Sequence, residues 1–388
     1  MAKKNRKIKM GMVGGGADAF IGAVHRNAAA LDQEIELVCG AFSSNPEKSK
    51  QTGQALYLDE QRVYDSWEQM IEKESRLPEG ERMDFISIVT PNHLHFGPAK
   101  MALEHGFHVM SDKPLCFSLG EALELKELVD KTGLLFGLTH TYSGYPMVKE
   151  ARNLIKQGRL GKIRKIYVEY PQGWLTDNIE KEGQKQASWR TDPSRSGKSG
   201  CMGDIGTHAA HLAEYVSGLA ISNVCADLNK VVEGRELDDD GAVLLRFDNG
   251  ASGVLIASQV AAGEENNLKL RVYGEKGGVE WNHTDANTLQ LKWTDRPKEI
   301  LRTGVNNEYL SEASRKNTRL PSGHPEGYLE AFANIYRNFA FAIRAVSAGE
   351  KPDLEIYDFP DVNDGVMGMA FIDKVVESTE KNNQWIKM

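Results

Sequence analysis

Cysteine is scarce in this 388-residue chain: Cys39, Cys116, Cys201 and Cys225 stand far apart and form no C-x-x-C pair. Scattered thiols exclude a disulfide framework and a zinc ribbon, and they point to a reducing compartment. No apolar run reaches the length of a membrane span, and the N-terminus lacks the apolar core of a secretion signal. Excess positive charge is missing too: 47 Lys and Arg face 55 Asp and Glu, a net of −8. That argues against general nucleic-acid binding. The short basic start (Lys3, Lys4, Arg6, Lys7, Lys9) reads as a solvated tail. Repeats and low-complexity tracts are absent. What is left is a cytoplasmic globular protein, with neither membrane nor nucleic acid as a partner, long enough for two cored domains.

Glycine, by contrast, is concentrated where it matters. Ile8, Met10 and Met12 alternate as a strand, Gly14-Gly15-Gly16 follow, and an alanine-rich helix runs to Leu31. Strand, glycine turn and helix form the entry to a dinucleotide-binding βαβ unit. Gly14 makes the tight turn, and Gly16 lets backbone approach a pyrophosphate held at the helix N-terminus. The third position stays open: Ala19 completes G-x-G-x-x-A directly, and Gly22 completes it with three residues inserted. Ile35 to Phe42 is the second strand. Its end, which meets the adenosine ribose in such folds, carries Ser43 and Ser44 in place of an acid, with Lys48 nearby. NAD and NADP both remain open as cofactor.

Phe85 to Val89 is a buried strand that runs into Thr90-Pro91-Asn92-His93-Leu94-His95, with a helix expected from about His93 to His105. His108 to Ser111 is another strand, ending in Asp112-Lys113-Pro114. Both ends point to the crevice where open α/β sheets bind ligands. The strand–helix alternation up to Thr139 predicts a parallel, doubly wound sheet. Beyond it, Ile163 to Tyr170 and a series of strands from Val224 to Trp293 predict a second domain on a largely antiparallel sheet. Residues 1–141 are expected to bind the dinucleotide and residues 142–388 to bind substrate and mediate oligomerisation.

Between Pro171 and Gly203 lies a long loop with Gln172, Trp174, Trp189 and Arg190. Loops of that length are usually functional. Aromatic faces for C–H surfaces and polar groups for hydroxyls suit a polyhydroxylated ligand. Asp204 and His208 follow, four apart and so on one face if helical. A carboxylate beside an imidazole orients it as a general base, and Lys113 adds a charge that stabilises an alkoxide oxygen. On spacing alone, a capping Asp and a packed His is an equal reading. His93 and His95 at a helix start read as one capping and one exposed histidine rather than a metal pair, and Asp204, His208 and His211 lack a further acidic ligand. Tyr142, near the domain joint, and His324, in a Gly-His-Pro loop, are further substrate candidates.

Four motifs now stand in order: the glycine turn ending in Ile21-Gly22-x-x-His25, Thr90-Pro91-Asn92-x-x-His95, Asp112-Lys113-Pro114 and Gly203-Asp204-Ile205-Gly206-Thr207-His208. Together they resemble the glucose–fructose oxidoreductase/inositol dehydrogenase (Gfo/Idh/MocA) family over nearly the whole chain. The resemblance implies an α/β protein: an N-terminal Rossmann domain and a C-terminal α/β domain with a large, mainly antiparallel open sheet. It implies an NAD(P)-dependent dehydrogenase acting on CH–OH groups of sugars or cyclitols, assembled as a homodimer or homotetramer. Lys113 takes the family's catalytic lysine role, and Asp204 and His208 its aspartate and histidine roles. Asp112 stands where a glutamate is commoner. Cofactor contacts are expected from Gly14, Gly16, Ala19, Phe20 and Ile21, and from Ser43 and Ser44. Further ones are expected from Thr90, Pro91, Asn92 and His95, from Asp112 and Lys113, and from Trp189 and Arg190. Substrate contacts are expected from Lys113, Tyr142, Gln172, Trp174, Asp204, His208 and His324. Relatives that cleave glycosides through transient oxidation, and non-catalytic NAD(P)-binding regulators, are the alternatives.

Overall fold

Short apolar runs alternating with helix-forming stretches build the first sheet. The computed structural model describes residues 6–17 and 19–388; Lys3 and Lys4 of the expected tail, and Asp18 of the glycine turn, lie outside them. Strands β1 (Ile8–Gly14), β2 (Ile35–Ala41), β3 (Phe85–Val89), β4 (His108–Ser111) and β5 (Phe136–Leu138) are ordered β2-β1-β3-β4-β5, all parallel. Strand order reverses between β1 and β3, the place where such sheets leave a binding crevice. The connecting helices are α1 (Phe20–Leu31), α2 (Pro46–Ala55), α3 (Trp67–Ser75), α4 (Phe96–Glu104) and α5 (Leu119–Thr132). Their ends follow local chemistry. Asn45 Oδ1 accepts the Lys48 N–H at the start of α2. Ser118 and Glu121 form a capping box on α5, which Gly133 closes in the left-handed conformation.

A second unit begins with α6 (Pro146–Lys156) and β6 (Ile163–Pro171). The long segment after β6 is not one loop: Gln184 and Asp192 cap two short helices in it, α7 (Lys185–Arg190) and α8 (Pro193–Ser196). Then come α9 (Thr207–Ser217), β7 (Ile221–Asn229), β8 (Asp240–Phe247), β9 (Ser252–Ser258), β10 (Lys269–Gly274), β11 (Gly277–Asn282), β12 (Thr288–Trp293), β13 (Glu299–Arg302) and α10 (Glu312–Lys316). α11 (Tyr328–Ser347), α12 (Val362–Glu380) and β14 (Ile386–Lys387) end the chain. Nine strands form the second sheet, antiparallel except where β6 meets β9. α6 and α9 pack on one face. The opposite face carries Leu244 and Ile256, 47% and 43% exposed.

The chain does not divide at a single point. Met1–Gly144 and Tyr328–Val366 form one unit; Tyr145–Gly327 and Met367–Met388 form the other. The expected second domain, 142–388, therefore loses α11 to the first. The reason is a helical stripe: Phe332, Tyr336, Phe339 and Ile343, spaced four, three and four apart, are all buried with Met10, Met12, Ala28 and Phe85. Each such side chain removed from water contributes about 1.5–3 kcal/mol.

Candidate functional site

The candidate residues fall into two groups, one in each unit. In the first, Gly14 and Gly15 both adopt positive φ, +82° and +70°, which side chains rarely tolerate. Gly22 has the close packing that the third position of such a pattern supplies. A Cβ there would lie 2.4 Å from Gly15 Cα, so only glycine lets α1 pack against the turn. Ala19 is the extended residue before α1; its N–H donates to Gly16 O at 2.9 Å. Arg26 Nη1 donates to Gly15 O at 2.6 Å and holds the turn from one helical turn further on. Phe20 opens α1 largely exposed, and Ile21 is half-buried.

This turn fits a dinucleotide. No side chain caps α1 and no acid stands in its first turn, so its N–H groups face outward for an anion. Thr90 Oγ1, just beyond β3, is buried with no hydrogen-bond partner among the described residues. A Cβ on Gly14 would meet Thr90 Cγ2 at 2.9 Å. At the end of β2, Ser43 Oγ accepts the Asn45 N–H at 3.1 Å, and Ser44 beside it is exposed. Ser44→Asp is expected to weaken NADP binding at least about tenfold more than NAD binding, by like-charge repulsion of the 2′-phosphate. Equal losses in calorimetric titrations of both cofactors would place the ribose elsewhere.

The segment after β3 departs from expectation. Asn92–Leu94 form a 3-10 turn, and α4 starts only at Phe96. Asn92 is buried, and Pro91 precedes it half-buried. His95, expected to touch cofactor, is 1% exposed. Its Nδ1 lies 2.8 Å from Pro114 O and its Nε2 2.7 Å from Thr90 O. Both ring nitrogens thus face backbone carbonyls, and burial lowers the ring's pKa, so the neutral ring donates to one of them. His95 ties the segment after β3 to the segment after β4.

Asp112 is likewise turned inward rather than toward a ligand. Its Oδ1 accepts Thr139 Oγ1–H at 2.7 Å and the Lys113 N–H at 2.9 Å. Its Oδ2 lies 3.9 Å from His25 Nε2. Burial pulls its pKa up, but His25, Lys113 and Thr139 outweigh that and hold the carboxyl well below the usual range. Lys113 follows it, half-buried, and the Lys113–Pro114 peptide is cis. Tyr142 is only 4% exposed and meets Tyr328 edge-on, with ring centroids 6.3 Å apart.

In the second unit, Asp204 does not start a regular helix. Met202–Gly206 form a π turn, and α9 begins at Thr207. Such turns often mark functional sites. Met202 lies over the turn's end: a Cβ on Gly206 would meet Met202 Sδ at 2.2 Å. The buried Asp238 carboxylate anchors the entry, accepting Gly200 N–H at 2.9 Å and Met202 N–H at 2.8 Å. Asp204 Oδ2 accepts two bonds, from Arg190 Nε at 3.1 Å and Gln259 Nε2 at 2.9 Å.

A run of contacts leads from there to His208. The Arg190 guanidinium stands over Trp189 at 4.2 Å and Trp174 at 5.8 Å. Trp174 Nε1 donates to Gln172 Oε1 at 3.1 Å, and Gln172 Nε2 donates to Asn266 Oδ1 at 2.6 Å. Tyr170 OH donates to the same oxygen at 2.7 Å, and its ring lies 6.4 Å from that of His208.

Arg190, expected at the cofactor, is thus engaged by Asp204, and Trp189 stacks beneath it. Gln172 and Trp174 join the same run. His324 does not: it is exposed, with Nδ1 3.3 Å from Pro321 O in a surface turn. Sequence reasoning missed Gln259, Asn266 and Tyr170. Gln259 has the clearest signal in retrospect, a polar residue directly after the apolar strand β9. Among the described residues no group of three or more His, Cys, Asp or Glu is placed to hold a metal ion, and no helix is long and apolar enough to cross a membrane.

Comparison with known proteins agrees with this architecture. Residues 8–140 match the family described as "oxidoreductase family, NAD-binding Rossmann fold", and residues 148–280 match the GFO/IDH/MocA C-terminal domain. An inositol dehydrogenase homolog from Azotobacter vinelandii, solved with NAD+, is 34% identical, covering 100% of this chain and 98% of its own, with a TM-score of 0.93. An inositol dehydrogenase homolog from Azotobacter vinelandii solved with NADH and myo-inositol is 32% identical, covering 99% of this chain and 98% of its own, with a TM-score of 0.90. An oxidoreductase from Sinorhizobium meliloti is 45% identical over 99% of this chain and 100% of its own, at a TM-score of 0.89. The uncharacterized oxidoreductase YfiI of Bacillus subtilis is 33% identical over 99% of this chain and 97% of its own. With its Rossmann sheet, glycine turn and nine-stranded second sheet, the chain belongs to the GFO/IDH/MocA family of NAD-binding oxidoreductases.

Proposed function

We propose that this oxidoreductase transfers a hydride between NAD(P) and a secondary hydroxyl or carbonyl of a sugar, sugar derivative or cyclitol. The observation that carries the reading is the run of contacts in the second unit: Asp204 held by Arg190 and Gln259, and His208 reached through Trp174, Gln172, Asn266 and Tyr170. Amides, a guanidinium and two indoles offer hydroxyl partners and flat faces for ring C–H groups. The A. vinelandii homolog solved with myo-inositol supports the same substrate class. When bound on the glycine turn, NAD supplies the hydride acceptor. In this reading His208 takes the hydroxyl proton, Asp204 orients the imidazole, and Lys113 donates to the reacting oxygen and steadies its developing charge.

A screen of inositols, free aldoses and glycosides against NAD+ and NADP+, followed by cofactor absorbance, tests the proposal. Cofactor reduction with at least one ring polyol is expected. Release of an aglycone with no net reduced cofactor would overturn it in favour of glycoside cleavage.

The open face of the second sheet supports assembly into a homodimer or homotetramer. Leu244, Val254 and Ile256 point away from the helix-covered side. Ser258, at the end of the same row, is 7% exposed, so the open area ends before it. Ile256→Asp is expected to shift the protein to smaller species in sedimentation at micromolar concentration. A wild-type protein that sediments only as monomer would refute assembly.

A further inference from the structure

We infer that His25 is a positioning residue for Lys113: from helix α1 it holds the Asp112 carboxylate and thereby fixes the residue that precedes the lysine. The inference rests on the reading of Lys113 as the group that meets the reacting oxygen.

Ser87, His25 and Tyr336 are each fully buried, from three distant parts of the chain, inside a cluster of Met10, Met12, Phe85, Phe332 and Phe339. Polar groups cost free energy there unless each is partnered. Ser87 Oγ lies 2.7 Å from Tyr336 OH, and Tyr336 OH lies 2.7 Å from His25 Nδ1. Burial pushes the Tyr336 phenol up, so it keeps its proton. One direction uses every buried hydrogen and turns an N–H toward Asp112. Ser87 donates to Tyr336 oxygen, Tyr336 donates to Nδ1, and Nε2 then carries the ring's hydrogen.

Nε2 has no hydrogen-bond partner of its own. It faces Asp112 Oδ2 at 3.9 Å, an electrostatic contact longer than a hydrogen bond. Thr139, just past β5, holds the other oxygen. The carboxylate is therefore hydrogen-bonded on one oxygen by Thr139 and faced on the other by the His25 ring. Phe332 meets the His25 ring edge-on at 4.7 Å and keeps it in that plane. Three residues before His25, on the same helix, Gly22 rests on the glycine turn.

The test compares His25→Gln, whose amide nitrogen stands near the Nε2 position, with His25→Asn, which reaches only Tyr336. Tyr336→Phe, which deletes one oxygen, is the milder companion. In the full-length protein, Lys113 acylation by acetic anhydride is followed by mass spectrometry, with NADH affinity and thermal stability measured alongside. Turnover with myo-inositol and NAD+ is the second readout. His25→Asn is expected to raise Lys113 acylation several-fold and, where myo-inositol is turned over, to lower kcat about 10- to 100-fold with NADH affinity retained. His25→Gln should restore most of both, and Tyr336→Phe should fall between.

Unchanged Lys113 acylation in His25→Asn overturns the inference, as do equal losses in Asn and Gln variants that melt early. If His25→Asn does not fold, parental acylation in Tyr336→Phe overturns it. Parental turnover in Lys113→Met would instead sink the reading of the lysine, while the acylation readout still reports on His25.

Discussion

His208→Asn is expected to lower polyol oxidation about a hundred- to ten-thousand-fold, the usual cost of a missing general base, with cofactor affinity nearly intact. Asparagine keeps a polar group near Tyr170 but cannot take a proton. The comparison with Gln259→Leu is informative. That variant leaves the base in place but removes one of the two donors on Asp204 Oδ2, so its loss should be smaller and confined to the rate. Lys113→Met should cut the rate as His208→Asn does and also raise KM, because an oxygen partner disappears. Steady-state kinetics on the best polyol from the screen decides the matter. If His208→Asn and Lys113→Met both run near the parental rate, the site is misassigned although the family membership stands.

Gly22→Val should be the most damaging single change to cofactor binding. Even a Cβ there would sit 2.4 Å from Gly15 Cα and 2.7 Å from its carbonyl oxygen. Backbone cannot swing aside as a flexible side chain can, so α1 must lift off the turn. Overpacking of this kind costs about 1–3 kcal/mol, which corresponds to roughly 5- to 150-fold in NADH affinity. Fluorescence titration with NADH measures it. Ala19→Gly is the contrast: that residue is already extended and caps nothing, so its effect should be slight. Parental NADH affinity in Gly22→Val would mean the helix start is not where the cofactor is held.

Local pattern was legible in the sequence and distant pairing was not. Phe85–Val89 and His108–Ser111 are strands at the expected residues because their apolar runs end in proline or charge. Asn45 and Ser118 cap as their chemistry dictates. β13 and β14 were not anticipated: one is four residues of mixed polarity, the other two residues long, and edge pairing rather than composition makes them strands. Asp204 was identified by its distance from His208, yet its donors come from 14 residues earlier and 55 later. His95 shows the opposite failure. A histidine in a motif near a binding crevice reads as a ligand contact until its two nitrogens are seen to face carbonyls.

Helix α11 and the segment to Val366 have a consequence for how the protein is made. The first unit needs them, so its opening stretch leaves the ribosome long before its last partner. Gly144 and Val366 are about 220 residues apart, roughly 10–45 s of synthesis at about 5–20 residues per second. Through that interval Met10, Met12 and Phe85 lack the cover of Phe332, Tyr336 and Phe339, an apolar face open to chaperones or to other nascent chains. The second unit likewise waits for Met367–Met388. A fragment cut after Gly144 is expected to leave that apolar face uncovered, so a fusion or graft should carry 328–366 along with the glycine turn.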